Sequence, residues 1–279
     1  MIYLDNNATT QVDEKVLEVM LPYLKLEYAN PSSMYDFAKK PAEALKIARE
    51  QVRDFYGAND VKEIFFTSCG SESANMAIKG ALNCHKEKRH IITTKIEHPC
   101  VLNTYKFFEN QGYEVDYISV NAQGELDLEE LKEKLRKDTA LVSVMWANNE
   151  IGVVNPVEDI AEIVKSKSPE TVFYVDGVQA AGKIPMIVDG TAIDMVGISG
   201  HKFHAPKGVG ALYVNNKCRL TPLINGGHQD KGLRAGTENV PYIAGMGKAA
   251  ELAKASLIYE ETEVKRLRDK LELGILKNV

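Results

Sequence analysis

The sequence predicts an α/β fold built on a mainly parallel β-sheet with helices on both faces. Two observations carry this. Short runs of β-branched, aromatic and aliphatic residues recur along the chain, and most are separated by segments whose apolar residues fall at helical spacing. That βα alternation is the pattern of a parallel sheet, and runs that are apolar almost throughout suit strands buried on both faces.

The elements follow in order. Residues 2–10 read as an extended lead-in, with Asn6, Asn7 and Ala8 suited to a turn. From Asp13 a helix is expected with Val16, Val19 and Met20 on one face, and Pro22 limits or bends it. After the turn Asn30-Pro31-Ser32-Ser33, a long amphipathic helix carries Ala44, Leu45, Ala48, Val52 and Phe55 and stops at Gly57. Ile64–Thr67 is a strand that feeds a loop of small residues, Ser68 to Ser73, and an Ala- and Ile-rich helix. His90–Thr94 is the next strand, followed by a helix over 101–111, a strand over 114–120 and a helix capped by Asp127. Residues 141–146, 172–175, 195–198 and 211–214 complete the strands, and one long helix runs from about Tyr242 to the C-terminus.

Composition bounds the function classes. The 279 residues suffice for one large domain, or a large one with a small one, and a net charge of −5 gives no footprint for nucleic acid. No apolar stretch approaches the roughly 20 residues of a membrane span, and MIYLDNNATT is not a signal peptide, so a cytoplasmic protein is expected. Cys69, Cys84, Cys100 and Cys218 have no paired spacing; neither a zinc site nor a disulfide framework is indicated, and Cys69 and Cys100 read as small packed residues. No G-x-G-x-x-G follows the first strand, against a dinucleotide oxidoreductase.

The chemistry concentrates at strand ends, where open α/β sheets bind ligands. One apolar run delivers Asp176, with Gln179 a step later; another delivers Ser199, Gly200, His201 and Lys202. Asp176 and Lys202 could be a simple ion pair. They also satisfy pyridoxal 5′-phosphate: a lysine amine condenses with an aldehyde, and a carboxylate keeps a pyridine nitrogen protonated. The Ser68–Ser73 loop could be an ordinary helix cap or a phosphate cradle. His98 could be a structural hydrogen-bonder or a proton carrier. Asn148 and Asn149 could merely satisfy loop backbone, and the glycine-rich 226–237 loop could be mobile surface.

Asp176-x-x-Gln179, Ser199-Gly200-His201-Lys202 and Pro206-Lys207-Gly208 resemble the class V aminotransferase group of fold-type I pyridoxal-phosphate enzymes, and within it the NifS/IscS-type cysteine desulfurases. The match extends through residues 3–10, Asn30–Ser33, Phe66–Ser68, Glu97-His98, Asn148–Gly152 and Arg234–Asn239, nearly the whole chain. The resemblance implies a seven-stranded sheet. It implies that Gly70 and Ser71 hold the cofactor phosphate, that His98 stacks on the ring and moves protons, and that Asn149 and Gln179 bond the ring oxygen. Asp176 would face the ring nitrogen, with Ser199 and His201 also at the cofactor and Lys202 its covalent anchor. Thr237 would reach the phosphate of a second subunit, implying a homodimer. L-cysteine would yield L-alanine and a persulfide, with sulfur passing to an iron–sulfur scaffold or a tRNA-modifying partner. Another class V activity, an aminotransferase or selenocysteine lyase, and a catalytically incomplete interaction module are the alternatives.

The expected organisation is an N-terminal segment 1–14, a large cofactor domain 15–240 and a helix 241–279 leading to a small C-terminal domain. The family resemblance places in that further domain, roughly a hundred residues, the sulfur-accepting cysteine and the carboxylate-gripping arginine. Neither has a counterpart here, and the expectation is a truncated or naturally short form.

Overall fold

The computed structural model describes residues 2–278; Met1 and Val279, the ends of the first and last predicted segments, lie outside the described residues. In chain order the elements are α1 Glu14–Lys25, α2 Lys39–Tyr56, β1 Ile64–Thr67, α3 Gly70–Cys84, β2 His90–Thr94, α4 Pro99–Glu109, β3 Glu114–Ile118, α5 Leu128–Lys134, β4 Thr139–Met145, α6 Val157–Lys167, β5 Val172–Asp176, β6 Met195–Ser199, β7 Gly210–Val214, α7 Val240–Tyr259 and α8 Lys265–Asn278. Asp13 caps α1 by accepting from the Lys15 N–H. Pro22 does not end that helix, which runs on to Lys25. Gly57 ends α2 in the left-handed conformation (φ 58°), where a side chain would be strained. A π-helical turn over Glu260–Val264 joins α7 to α8, so the predicted long helix is continuous but locally widened.

The strands form one seven-stranded sheet in the order β1-β7-β6-β5-β4-β2-β3. β7 is antiparallel to both β1 and β6, and the remaining pairings are parallel. Two reversals through β7 leave β1 parallel to the others. Six strands therefore end at one edge of the sheet, where ligands of open α/β sheets sit.

Alternation within the strands supplies both cores. Phe66, Ile92, Val142, Val144, Phe173, Val175, Val196 and Tyr213 face one layer with residues of α1, α2, α6 and α7. Phe65, Ile91, Leu141, Tyr174, Met195 and Leu212 face the other, with residues of α3 and α4. Successive side chains point to opposite faces, so a fully apolar strand serves two layers at once. Ile243, Met246 and Ala250 of α7 are buried, while Leu267 and Leu271 of α8 are 46% and 53% exposed. The edge strand β1 is blunted by Asp230, whose carboxylate accepts from the Phe66 N–H (3.1 Å) and from Arg49 (2.6 Å). Among the described residues no helix is long and apolar enough to cross a membrane.

Candidate active site

The strand ends converge on a cavity of about 400 Å³. Gly70, Ser71, His98, Asn149, Asp176, Gln179, Ser199, His201 and Lys202 all line it. Thr237, the remaining predicted site residue, is exposed on the 226–237 loop and does not line the cavity.

Asp176 closes β5 and is 5% exposed. Its Oδ1 accepts from the Val178 N–H at 3.0 Å. Burial raises its pKa, opposed by that N–H and by the nearby His98 and Lys202 side chains. A buried carboxylate so placed is stabilised further by any cationic N–H presented from the cavity.

Lys202 follows β6 in a short helical turn. Its amine donates to the carbonyls of Asn7 and Ala8, the latter at 3.0 Å. Burial lowers its pKa, with Asp176 and Asp5 pulling the other way. The amine thus rests on neutral acceptors at the cavity wall and has a larger neutral fraction than a free lysine, as a nucleophilic amine needs. The N-terminal lead-in is pinned to this turn: the Thr10 N–H and hydroxyl both donate to the His201 carbonyl (2.9 and 3.0 Å), and His201 Nδ1 pairs with the Thr9 hydroxyl (3.1 Å). Gln179 donates to the Asn7 carbonyl at 3.0 Å, tying the same segment to the β5 end.

Opposite, β1 passes into α3. Cys69, not a serine, is the cap residue, and it makes no side-chain cap bond, so backbone N–H groups of the first turn stay available. Gly70 admits close approach here, because a Cβ on it would lie 2.9 Å from Val178 Cγ2 and 3.3 Å from Ser199 Cβ. Glu72 in the same turn accepts from the Ser68 N–H (2.7 Å) and from Arg234 (2.8 Å). Burial pushes its carboxyl up, but the Arg234 guanidinium and the Ser68 donors outweigh this and hold it below the usual value.

His98 caps α4 by accepting from the Cys100 N–H at Nδ1 (3.2 Å), which leaves its proton on Nε2. Asn148 is consumed by structure. Its amide donates to the Ile96 carbonyl (3.0 Å) and its oxygen accepts from the Glu150 and Ile151 N–H groups, leaving Asn149 to face the cavity. Cys69 and Cys100 are half-buried and line the cavity, and Cys100 also packs against the second core as expected. Burial and the charge of Asp176 push the Cys100 thiol up to about 12, so it is a poor nucleophile near neutral pH. Among the described residues no group of three or more acidic, His or Cys side chains could hold a metal.

Sequence reasoning missed the backbone acceptors of Lys202 as specific partners, Asp5 at the rim and the buried Glu97. For Asp5 and Asn7 the signal was the lead-in motif itself; for Glu97 it was adjacency to His98.

The donor set fits a phosphorylated pyridine aldehyde: an amine, a buried carboxylate and a helix start with free N–H groups line one cavity of small-molecule size. The Aminotransferase class-V model matches residues 2–278. The chain belongs to the class-V aminotransferase family. A cysteine desulfurase from Trichormus azollae is 55% identical over 282 residues, covering 100% of this chain and 69% of the relative. Among solved structures, a NifS-like protein superimposes with a TM-score of 0.96 at 44% identity, over 99% of this chain and 76% of the other. SspA in complex with cysteine gives a TM-score of 0.86 at 43% identity, over 90% and 72%. Within the class-V family the enzyme type these matches support is the pyridoxal-phosphate-dependent cysteine desulfurase, and the family implies that cofactor.

Proposed function

We propose that this cavity binds pyridoxal 5′-phosphate and desulfurates L-cysteine, with Lys202 as covalent anchor and Asp176 as partner of the ring nitrogen. The observation that supports the reading most is convergence: residues from six separate segments line one cavity, among them every predicted site residue but Thr237.

When bound, the cofactor supplies an electron sink that stabilises negative charge on the substrate carbon. The protein's own groups do the rest. The first turn of α3, with Gly70 and Ser71, binds the phosphate through N–H groups and the helix dipole. Asp176, held rigid by Val178, keeps the ring nitrogen protonated and the ring oriented. Asn149 and Gln179, which line the cavity, would bond the ring oxygen, while Ser199 and His201 complete the wall. Lys202, whose amine rests on the Asn7 and Ala8 carbonyls, would be the residue that holds the cofactor's aldehyde, and its amine when neutral can accept a proton at Nζ. His98, with a proton on Nε2 and a tethered Nδ1, holds a proton at the open side.

Over the whole reaction the carbon–sulfur bond of cysteine breaks, the carbon gains a proton, and sulfur passes to an acceptor thiolate, giving L-alanine and a persulfide. We assign no acceptor role to Cys100. Thr237, exposed on its loop, suits contact with a second subunit, so a homodimer is part of this reading. Hand-over to an iron–sulfur scaffold or other acceptor protein, in a reducing cytoplasm, follows from the same chemistry.

The test is titration of the protein with pyridoxal 5′-phosphate, followed by L-cysteine with dithiothreitol as acceptor. A visible-absorbance band and release of alanine and sulfide in equal amounts are expected, both lost in Lys202→Ala. A band that persists in Lys202→Ala, or no alanine from a folded, cofactor-loaded protein, overturns the reading.

A further inference from the structure

Behind the cavity floor, Glu97 is 4% exposed. Its Oε1 accepts from the Thr94 hydroxyl and from the Met145 backbone N–H, each at 2.8 Å. Thr94 ends β2 just before the turn to His98, and Met145 ends β4 just before the turn to Asn149. One carboxyl oxygen therefore clamps the two strand ends that carry those site residues. The Asn148 bond to the Ile96 carbonyl is the second tie across the same gap.

The other oxygen, Oε2, is buried without a hydrogen-bond partner, as is the Tyr105 hydroxyl nearby on α4. An ionised carboxylate left with a bare oxygen in an apolar compartment is unfavourable, whereas an O–H there is a donor with a phenol in its vicinity. The titratable groups facing Glu97 offer no positive charge: Asp176 at the end of β5, Tyr174 within β5, and Tyr105 and Cys100 on α4.

We propose that Glu97 is a positioning residue that works as a neutral carboxylic acid, clamping the His98 and Asn149 turns together and leaving the negative charge of the cavity floor to Asp176. Burial, with the nearby Asp176 charge, raises its pKa to about 8, in keeping with this geometry. The role in catalysis rests on the proposed cofactor reading; the protonation state and the clamp do not.

The experiment therefore begins with cofactor-free protein. An infrared difference spectrum of wild type against Glu97→Gln at pH 6.5 is expected to show the carbonyl stretch of a protonated carboxylic acid, which fades as pH rises through about 8. A carboxylate signal at pH 6.5 overturns the proposal, whatever the protein binds. Cofactor affinity follows by absorbance titration. Glu97→Ala, which removes the clamp, is expected to weaken it by about ten-fold or more, and Glu97→Gln, neutral and of the same shape, to restore most of that loss. If Glu97→Gln is as impaired as Glu97→Ala, a charge is required at this position and the proposal fails. Absence of cofactor binding in wild type with the acid band present would instead refute the proposed function and leave the protonated clamp standing.

Discussion

Replacing Gly70 with alanine adds a single methyl group at the junction of helix start and cavity floor. That carbon would lie 2.9 Å from Val178 Cγ2, where apolar carbons prefer about 3.5–4.0 Å. Ser199 Cβ, 3.3 Å away, is a second tight contact. Val178 is β-branched and has little rotamer freedom to yield. Its N–H is also the hydrogen-bond donor to Asp176 Oδ1, so displacement of Val178 is displacement of the carboxylate's anchor. Overpacking of this kind costs about 1–3 kcal/mol. Alanine's better helix propensity recovers at most about 1 kcal/mol, and less in a first turn.

The net expectation for Gly70→Ala is a loss of roughly 1–2 kcal/mol, or about 2–8 °C in Tm at ~2–4 °C per kcal/mol. On the proposed reading, in which the helix start and the carboxylate both hold the cofactor, its affinity should fall by about ten-fold or more. Gly274→Ala is the control, because a Cβ there meets nothing within 4 Å. In an exposed helix it should gain about 0.5–1 kcal/mol. Scanning calorimetry and absorbance titration read both quantities. A Gly70→Ala protein with wild-type Tm and wild-type affinity would show that the floor is plastic, and the argument from close approach would be wrong.

Three further outcomes follow. Glu97 binds its proton more tightly folded than unfolded, so between about pH 4.5 and pH 8 stability should fall as pH rises, by on the order of 3–5 kcal/mol at most; denaturant titrations across that range should show Glu97→Gln relieved of the decline, and an equal decline in both proteins would count against it. Tyr56→Phe removes a buried hydroxyl placed 3.0 Å from the Val196 carbonyl and 3.2 Å from that of Ala211, and should lower stability by about 1 kcal/mol, measured by urea unfolding. Asp230→Ala strips the anchor shared by Arg49 and the Phe66 N–H, with a loss of roughly 1.5–3 kcal/mol; hydrogen exchange should rise over residues 225–239, and unchanged exchange there would mean the loop is held by other contacts.

Much of this was legible in the sequence because strand ends announce themselves. Val172–Val175 and Met195–Ile198 are apolar runs that stop at polar residues, and the structure carries Asp176 and Ser199 to the sheet edge as those runs imply. Gly57 as a helix stop and Asp127 as a cap were equally readable, since each acts on its immediate neighbours. The insertion of β7 between β1 and β6 was not: its residues are as apolar as those of the parallel strands, and direction leaves no mark on burial. The exposed half of the last helix was hidden for a related reason. Leu267 and Leu271 continue the helical spacing of Ile243 and Met246, yet the sheet does not extend beneath them.

The contacts that matter most to the site are the ones that sequence distance conceals. Lys202 rests on carbonyls 195 and 194 positions away, and a backbone acceptor has no residue signature. Glu97 is one position from His98 but is buried in the protein, where the Thr94 hydroxyl and the Met145 N–H hold its carboxyl. Both facts make the same physical point about the cavity. Its chemical groups stand on strand ends, but their orientation is set by segments that contribute no chemistry: the lead-in under Lys202, the clamp under His98 and Asn149, and the Val178 turn under Asp176. A substitution in those supports should therefore shift affinity and spectra while every side chain proposed to act in the cavity is retained, and substitutions on the exposed face of α2 or α6 should not.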